Sequence, residues 1–143
     1  MTQQDKELLL KDLCARLPYG VSVRLYDEDI RKYDYHEIGI ISGKENATDE
    51  FFTVSTKIDS WIISINDFKP YLRPMSSMTE EESEEAYFKY NFKRSMNPYS
   101  KDRYYVRTIS PEGLDWLNAH HFDYHGLIPM GLALEAPEGM YND

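Results

Sequence analysis

The chain has 143 residues, the size of one domain, and residues 1–143 read as a single domain. Its formal net charge is −9, an excess of acid that repels phosphate backbones and anionic membranes over the surface as a whole. The single cysteine, Cys14, cannot form an internal bridge, no apolar run approaches the ~18 residues that cross a bilayer, and Met1–Glu7 lacks a signal-peptide pattern. The expectation is a cytoplasmic protein without membrane contact.

Thr2 to Leu17 reads as a first helix. Thr2 and Asp5 stand in the capping-box relation, and Leu9, Leu10, Leu13, Cys14 and Leu17 recur at helical spacing as one apolar face. On that face Cys14 is expected as a small buried thiol. Pro18-Tyr19-Gly20 stops the helix. Val21, Val23 and Leu25 then alternate with polar residues, the period of a half-buried strand. Asp27 to Glu37 is polar and tyrosine-rich and reads as a loop. Strands follow at Ile38–Ile41, Phe51–Thr56 and Trp61–Ile65, separated by turn-forming Gly43–Glu50 and Lys57–Ser60. Short strands joined by short turns favour an antiparallel meander. Pro70 and Pro74 limit the next segment to one helical turn followed by extended chain.

A second helix is expected from Thr79 to about Phe92, with a Thr79/Glu82 capping box, acids at its positive end and a Glu85–Lys89 pair. Tyr104–Thr108 reads as a fifth short strand. Ser110-Pro111 starts a third helix running to about His121. Leu127, Ile128, Leu132 and Leu134 are candidate core anchors, and the last residues are expected to fray. The fold class is α+β: an N-terminal helix, a small antiparallel sheet of about four to five strands, compatible with an SH3-like barrel, and a helical C-terminal half.

Candidate chemistry is sparse. No phosphate-binding glycine loop, G-x-S-x-G or H-E-x-x-H occurs, and the pattern calls for no cofactor. His120, His121 and His125, with Asp123 among them, could serve a metal-dependent hydrolase. Adjacent helical residues diverge by about 100°, however, and imidazoles at a helix end also satisfy its last carbonyls. His36, in a polar loop, could assist proton transfer, but nothing beside it in the sequence supplies a nucleophile.

The segment 87–107 is the most informative. It sets Lys89, Lys93, Arg94, Lys101, Arg103 and Arg107 against one acid, Asp102, a local balance of +5 that leaves −14 elsewhere. Tyr99, Tyr104 and other rings are interleaved. Cations beside stacking rings suit single-stranded nucleic acid, and the same set suits an acidic protein partner. Twelve tyrosines also favour a contact surface, because each joins a large apolar ring to a polar tip. The leading expectation is therefore a non-enzymatic interaction module with a protein partner, and nucleic-acid binding through 87–107 is the alternative.

Three stretches, Glu7 to Gly20, Lys69 to Glu82 and Asp115 to Tyr124 continuing as Gly126-Leu127-Ile128, together resemble a family of uncharacterised hypothetical proteins from gut bacteria and their phages. The resemblance implies a small intracellular, mobile-element-associated protein and assigns no residue a role.

Overall fold

The computed structural model describes residues 1–44, 50–90 and 110–141. Helix α1 (Gln3–Arg16) begins at the expected capping box: the Thr2 hydroxyl accepts from the Asp5 N–H at 3.0 Å, and the Asp5 carboxylate accepts from the Thr2 N–H at 3.2 Å. A 3-10 turn, Leu17–Tyr19, ends it, and Gly20 turns the chain at φ 65°, a conformation that glycine adopts without a Cβ clash.

Five antiparallel strands follow: β1 (Ser22–Leu25), β2 (Ile38–Lys44), β3 (Phe51–Ser55), β4 (Ser60–Ser64) and β5 (Phe68–Leu72). A two-residue strand, β6 (Leu134–Glu135), adds in parallel to β5, so the sheet is mixed, with order β4-β3-β2-β1-β5-β6. It does not close. The far edge of β5 is occupied by β6 and by the Arg73–Phe122 bridge, which leaves nothing there for β4 to pair with.

Pro70 lies inside β5, opposite Val23. The Tyr26 N–H bonds the Asp67 carbonyl, so by antiparallel alternation the 23–70 pair is non-hydrogen-bonded and the missing N–H faces away from β1. On that side β6 engages only Tyr71 and Leu72. The polar stretch 27–37, expected as a loop, contains a short helix, α2 (Glu28–Arg31). Asp27 caps it by accepting from the N–H groups of Asp29 and Ile30.

One face of the sheet is the core. Val21, Val23, Leu25, Ile41, Phe52, Val54 and Ile63 pack with Leu9 and Leu13 of α1 and with Leu127 and Leu132. Gly39 shares this inner face because a Cβ there would meet Val54 Cγ1 at 2.6 Å. Of the proposed C-terminal anchors, Leu127 and Leu132 are buried and Ile128 packs at the margin. A second cluster joins α3 (Glu80–Tyr90) and α4 (Pro111–Ala119) through Ala86, Trp116, Leu117, Met75 and Phe122. Both helices begin as expected, at the Thr79/Glu82 box and at a Ser110 cap bonded to the Gly113 N–H. Tyr141 is anchored near the end: its hydroxyl accepts from the Ser22 N–H and donates to the Tyr71 carbonyl, and residues 142–143, at the end expected to fray, lie outside the described residues.

The apolar face of α1 differs from expectation at its polar members. Cys14 is exposed, whereas Asp12 and Arg16 are fully buried. Arg16 donates to Asp12 through Nε (2.6 Å) and Nη2 (3.1 Å), and also to the Phe122 carbonyl at 2.6 Å. Its guanidinium lies over the Tyr124 ring. His125 Nδ1 closes the cluster at 2.7 Å from Asp12. Burial pushes the Asp12 carboxyl up, but the His125 hydrogen bond and the Arg16 charge outweigh it and hold it below the ordinary value. Removing one member leaves a charge stranded in the core. Asp12→Ala should therefore cost about 3–5 kcal/mol in urea denaturation, and the apolar pair Asp12→Leu/Arg16→Met should cost less than that single change.

Arg73 grips Glu82 with two parallel bonds of 2.7 and 2.8 Å and lies over the Phe122 ring. Burial raises the Glu82 carboxyl, but the Arg73 and Thr79 hydrogen bonds prevail and lower it to about 2. A depressed native value contributes stability above the unfolded-state value near 4.5, and that contribution disappears as pH falls toward 2. Glu82→Gln should therefore lower stability at pH 7, and the difference from the parent should shrink across that window.

Candidate functional site

A concavity lies on the solvent side of the sheet, where β2 leaves the segment that follows α2. Its volume is about 770 Å³, and its walls include Tyr35, His36, Ile38, Ile40, Ser55 and Lys57. Alternation along β2 creates the apolar wall. Gly39 and Ile41 face the core, so Ile38 and Ile40 must face water, and they remain 44% and 49% exposed. Ile62 of β4 and Phe51 of β3 are exposed beyond them.

The polar wall is built on Asp34, just past α2, where its N–H still bonds the Ile30 carbonyl. Its carboxylate is buried and surrounded by donors. Oδ2 accepts from the Thr56 hydroxyl and from Trp61 Nε1 at 2.8 Å, and Oδ1 accepts from the His36 N–H at 3.0 Å. His36 Nδ1 lies 2.9 Å from the same Oδ1. Burial pushes this carboxyl up, but the bonds from Thr56, the His36 amide, Trp61 and the His36 ring hold it well below the usual carboxylate range.

A charged acceptor facing Nδ1 fixes a proton on that nitrogen, so in the neutral ring it is Nε2 that carries the lone pair. The imidazole is 20% exposed and stacks on Tyr35 with centroids 4.4 Å apart. The arrangement is thus an oriented hydrogen-bond acceptor beside an aliphatic wall. Ser42, Ser55 and Ser60 hydroxyls bond one another along the adjoining strands.

Of the residues singled out in the sequence, His36 lies in this cleft and the other described ones lie elsewhere. Lys89 sits on α3 and pairs with Glu85 at 3.3 Å. Lys93, Arg94, Tyr99, Lys101, Arg103, Tyr104 and Arg107, and the strand expected at 104–108, lie outside the described residues. The three C-terminal histidines separate. His120 Nδ1 bonds the Trp116 carbonyl at the end of α4, as imidazoles at helix ends do. His121 occupies the left-handed position after the helix, φ 62°, where its N–H reaches the Asn118 carbonyl, the Phe122 N–H reaches that of Leu117, and its ring stacks on Tyr141. His125 turns to Asp12. Asp123 accepts instead from the N–H groups of Leu127 and Ile128. Among the described residues no three metal-ligating side chains converge, and no helix is long and apolar enough to cross a membrane.

Sequence reasoning placed His36 in a loop and missed Asp34, Thr56 and Trp61 as its supports. Only the Asp-x-His spacing of 34 and 36 was visible there, and it is common. No family model matches the chain, and neither a curated protein nor a solved structure matches it.

Asp34→Asn keeps the size but places an amide donor against existing donors. We expect a loss of about 2 kcal/mol in urea denaturation and, in ring ¹⁵N spectra, a redistribution of the His36 proton between its two nitrogens.

Proposed function

We propose that the protein is a non-enzymatic interaction module that binds an extended polypeptide segment across the outer face of its sheet. The observation that carries this reading is the pair of apolar side chains Ile38 and Ile40, 44% and 49% exposed in the cleft on a strand whose other face is the core, with Ile62 exposed two strands away on the same face. Exposed aliphatic side chains clustered on one sheet face, around a cavity large enough for a side chain and its flanking backbone, are what contact surfaces use. The sheet edge favours polypeptide as the occupant. Among the described residues β4 pairs on one side only, and its Ser60-Trp61-Ile62-Ile63-Ser64 run carries neither charge nor proline to repel an added strand. Tyr33 and Tyr35, each more than three-quarters exposed, supply the aromatic part of the same end of the molecule.

The test is a selection of displayed random peptides on the immobilised protein, followed by affinity measurement on the enriched sequences. Ile38→Lys/Ile40→Lys should weaken those peptides at least about tenfold, the equivalent of ~1.4 kcal/mol, while circular dichroism and the unfolding midpoint stay near the parent values. Absence of enrichment, or equal binding by the double variant, would overturn the proposal.

A further inference from the structure

The outer-face cleft has a polar wall whose chemistry is narrower than a general apolar contact requires. Its rim charges, Glu37 and Lys57, are opposite in sign, and Glu37 is also 3.5 Å from Arg31. An ionic anchor is therefore poorly specified. The hydroxyls of Ser42 and Ser55 are engaged with each other and, through Ser55, with Ser60. His36 differs. Its Nδ1 is committed to a buried carboxylate that three further donor groups hold in place, and its Nε2 has no protein partner among the described residues. The ring cannot turn to bring Nδ1 outward without stripping Asp34 of a donor. Tyr35 stacks over one face of the imidazole at an interplanar angle of 25°, and its own exposed ring offers a flat aromatic face in the cleft with Ile38 and Ile40.

A flat aromatic face favours a ring over a branched aliphatic chain. A fixed acceptor beside it favours a ring with a donor, because an unfilled buried acceptor would lose its water without replacement. We infer that the cleft selects a donor-bearing aromatic side chain, tyrosine or tryptophan, from the bound segment through a hydrogen bond to His36 Nε2. This inference rests on the polypeptide-binding reading above and narrows it.

The test uses N-acetyl-tyrosinamide and N-acetyl-phenylalaninamide, which differ by one hydroxyl, titrated into ¹⁵N-labelled protein at pH 8. The shifts followed are the amides of Ile38–Ile40 and the two His36 ring nitrogens. The tyrosine probe should bind about threefold to tenfold more tightly, the range one neutral hydrogen bond supplies. Only that probe should move the Nε2 resonance in the direction of an accepted hydrogen bond. His36→Phe keeps a flat ring beside Tyr35 and should abolish the preference while leaving phenylalaninamide binding near its parent value. The ring-nitrogen measurement needs no substitution, so it decides even if that variant folds poorly. Equal binding of the two probes, or a preference that survives in His36→Phe, overturns the selection by His36 and leaves the outer-face reading standing. If neither probe perturbs the cleft amides, the inference fails, and the peptide selection then shows whether the outer-face reading fails with it.

Discussion

The buried pair Asp12–Arg16 ties the two halves of this chain together. Both residues belong to the first helix, yet the guanidinium reaches the Phe122 carbonyl, more than a hundred residues away. The carboxylate reaches His125. Desolvating two charges is costly, and the Phe122 carbonyl and His125 offset part of that cost by converging on the pair, although Arg16 Nη1 stays buried without a hydrogen-bond partner among the described residues. With that point fixed, the segment after α4 crosses under α1 and delivers Leu127 and Leu132 to the core. The same segment continues into β6 and Tyr141, which close the far edge of the sheet.

A second buried carboxylate organises the opposite end of the sheet by the same principle. Asp34 gathers Thr56, Trp61 and His36 from three separate stretches of chain, as Asp12 gathers Arg16 and His125. The two histidines nevertheless face different surroundings. His125 completes a cluster whose other charges are fully buried, whereas His36 lines an open cleft beside exposed isoleucines. One pairing serves folding. The other leaves an oriented imidazole beside exposed isoleucines, and the proposed selection of an aromatic side chain rests on that difference.

Much of the local structure was legible because its causes are local. Thr2 with Asp5, Thr79 with Glu82, and Ser110 before Pro111 each start a helix where the sequence places them, since a cap needs only a side chain three residues from an open N–H. Alternation along Val21–Leu25 likewise marked a strand and its inward residues, whereas Ile38–Ile41 was legible as a strand but not in which of its residues face inward. The periodicity misassigned Cys14. Asp12 and Arg16 hold the buried positions nearby, and a hydrophobicity pattern has no way to credit charges that neutralise each other in the interior. Pro70 counted against a strand because its sequence context does not say which of its sides faces a neighbour.

The amino-acid sequence by itself determined α1, α3 and α4 with their caps, the strands β1 to β4 and the α+β class, which follow from interactions within a few residues. Tertiary structure alone decided that β6 joins β5 in parallel and that the sheet stays open. It also decided that Asp12 meets His125, and that Asp34, Thr56, Trp61 and His36 meet beside Ile38 and Ile40. Those contacts span 22 to 113 residues for the Asp34–Thr56, Asp34–Trp61 and Asp12–His125 pairs. They form only once strand pairing and the buried ion pair have brought distant stretches together, and no local periodicity encodes that.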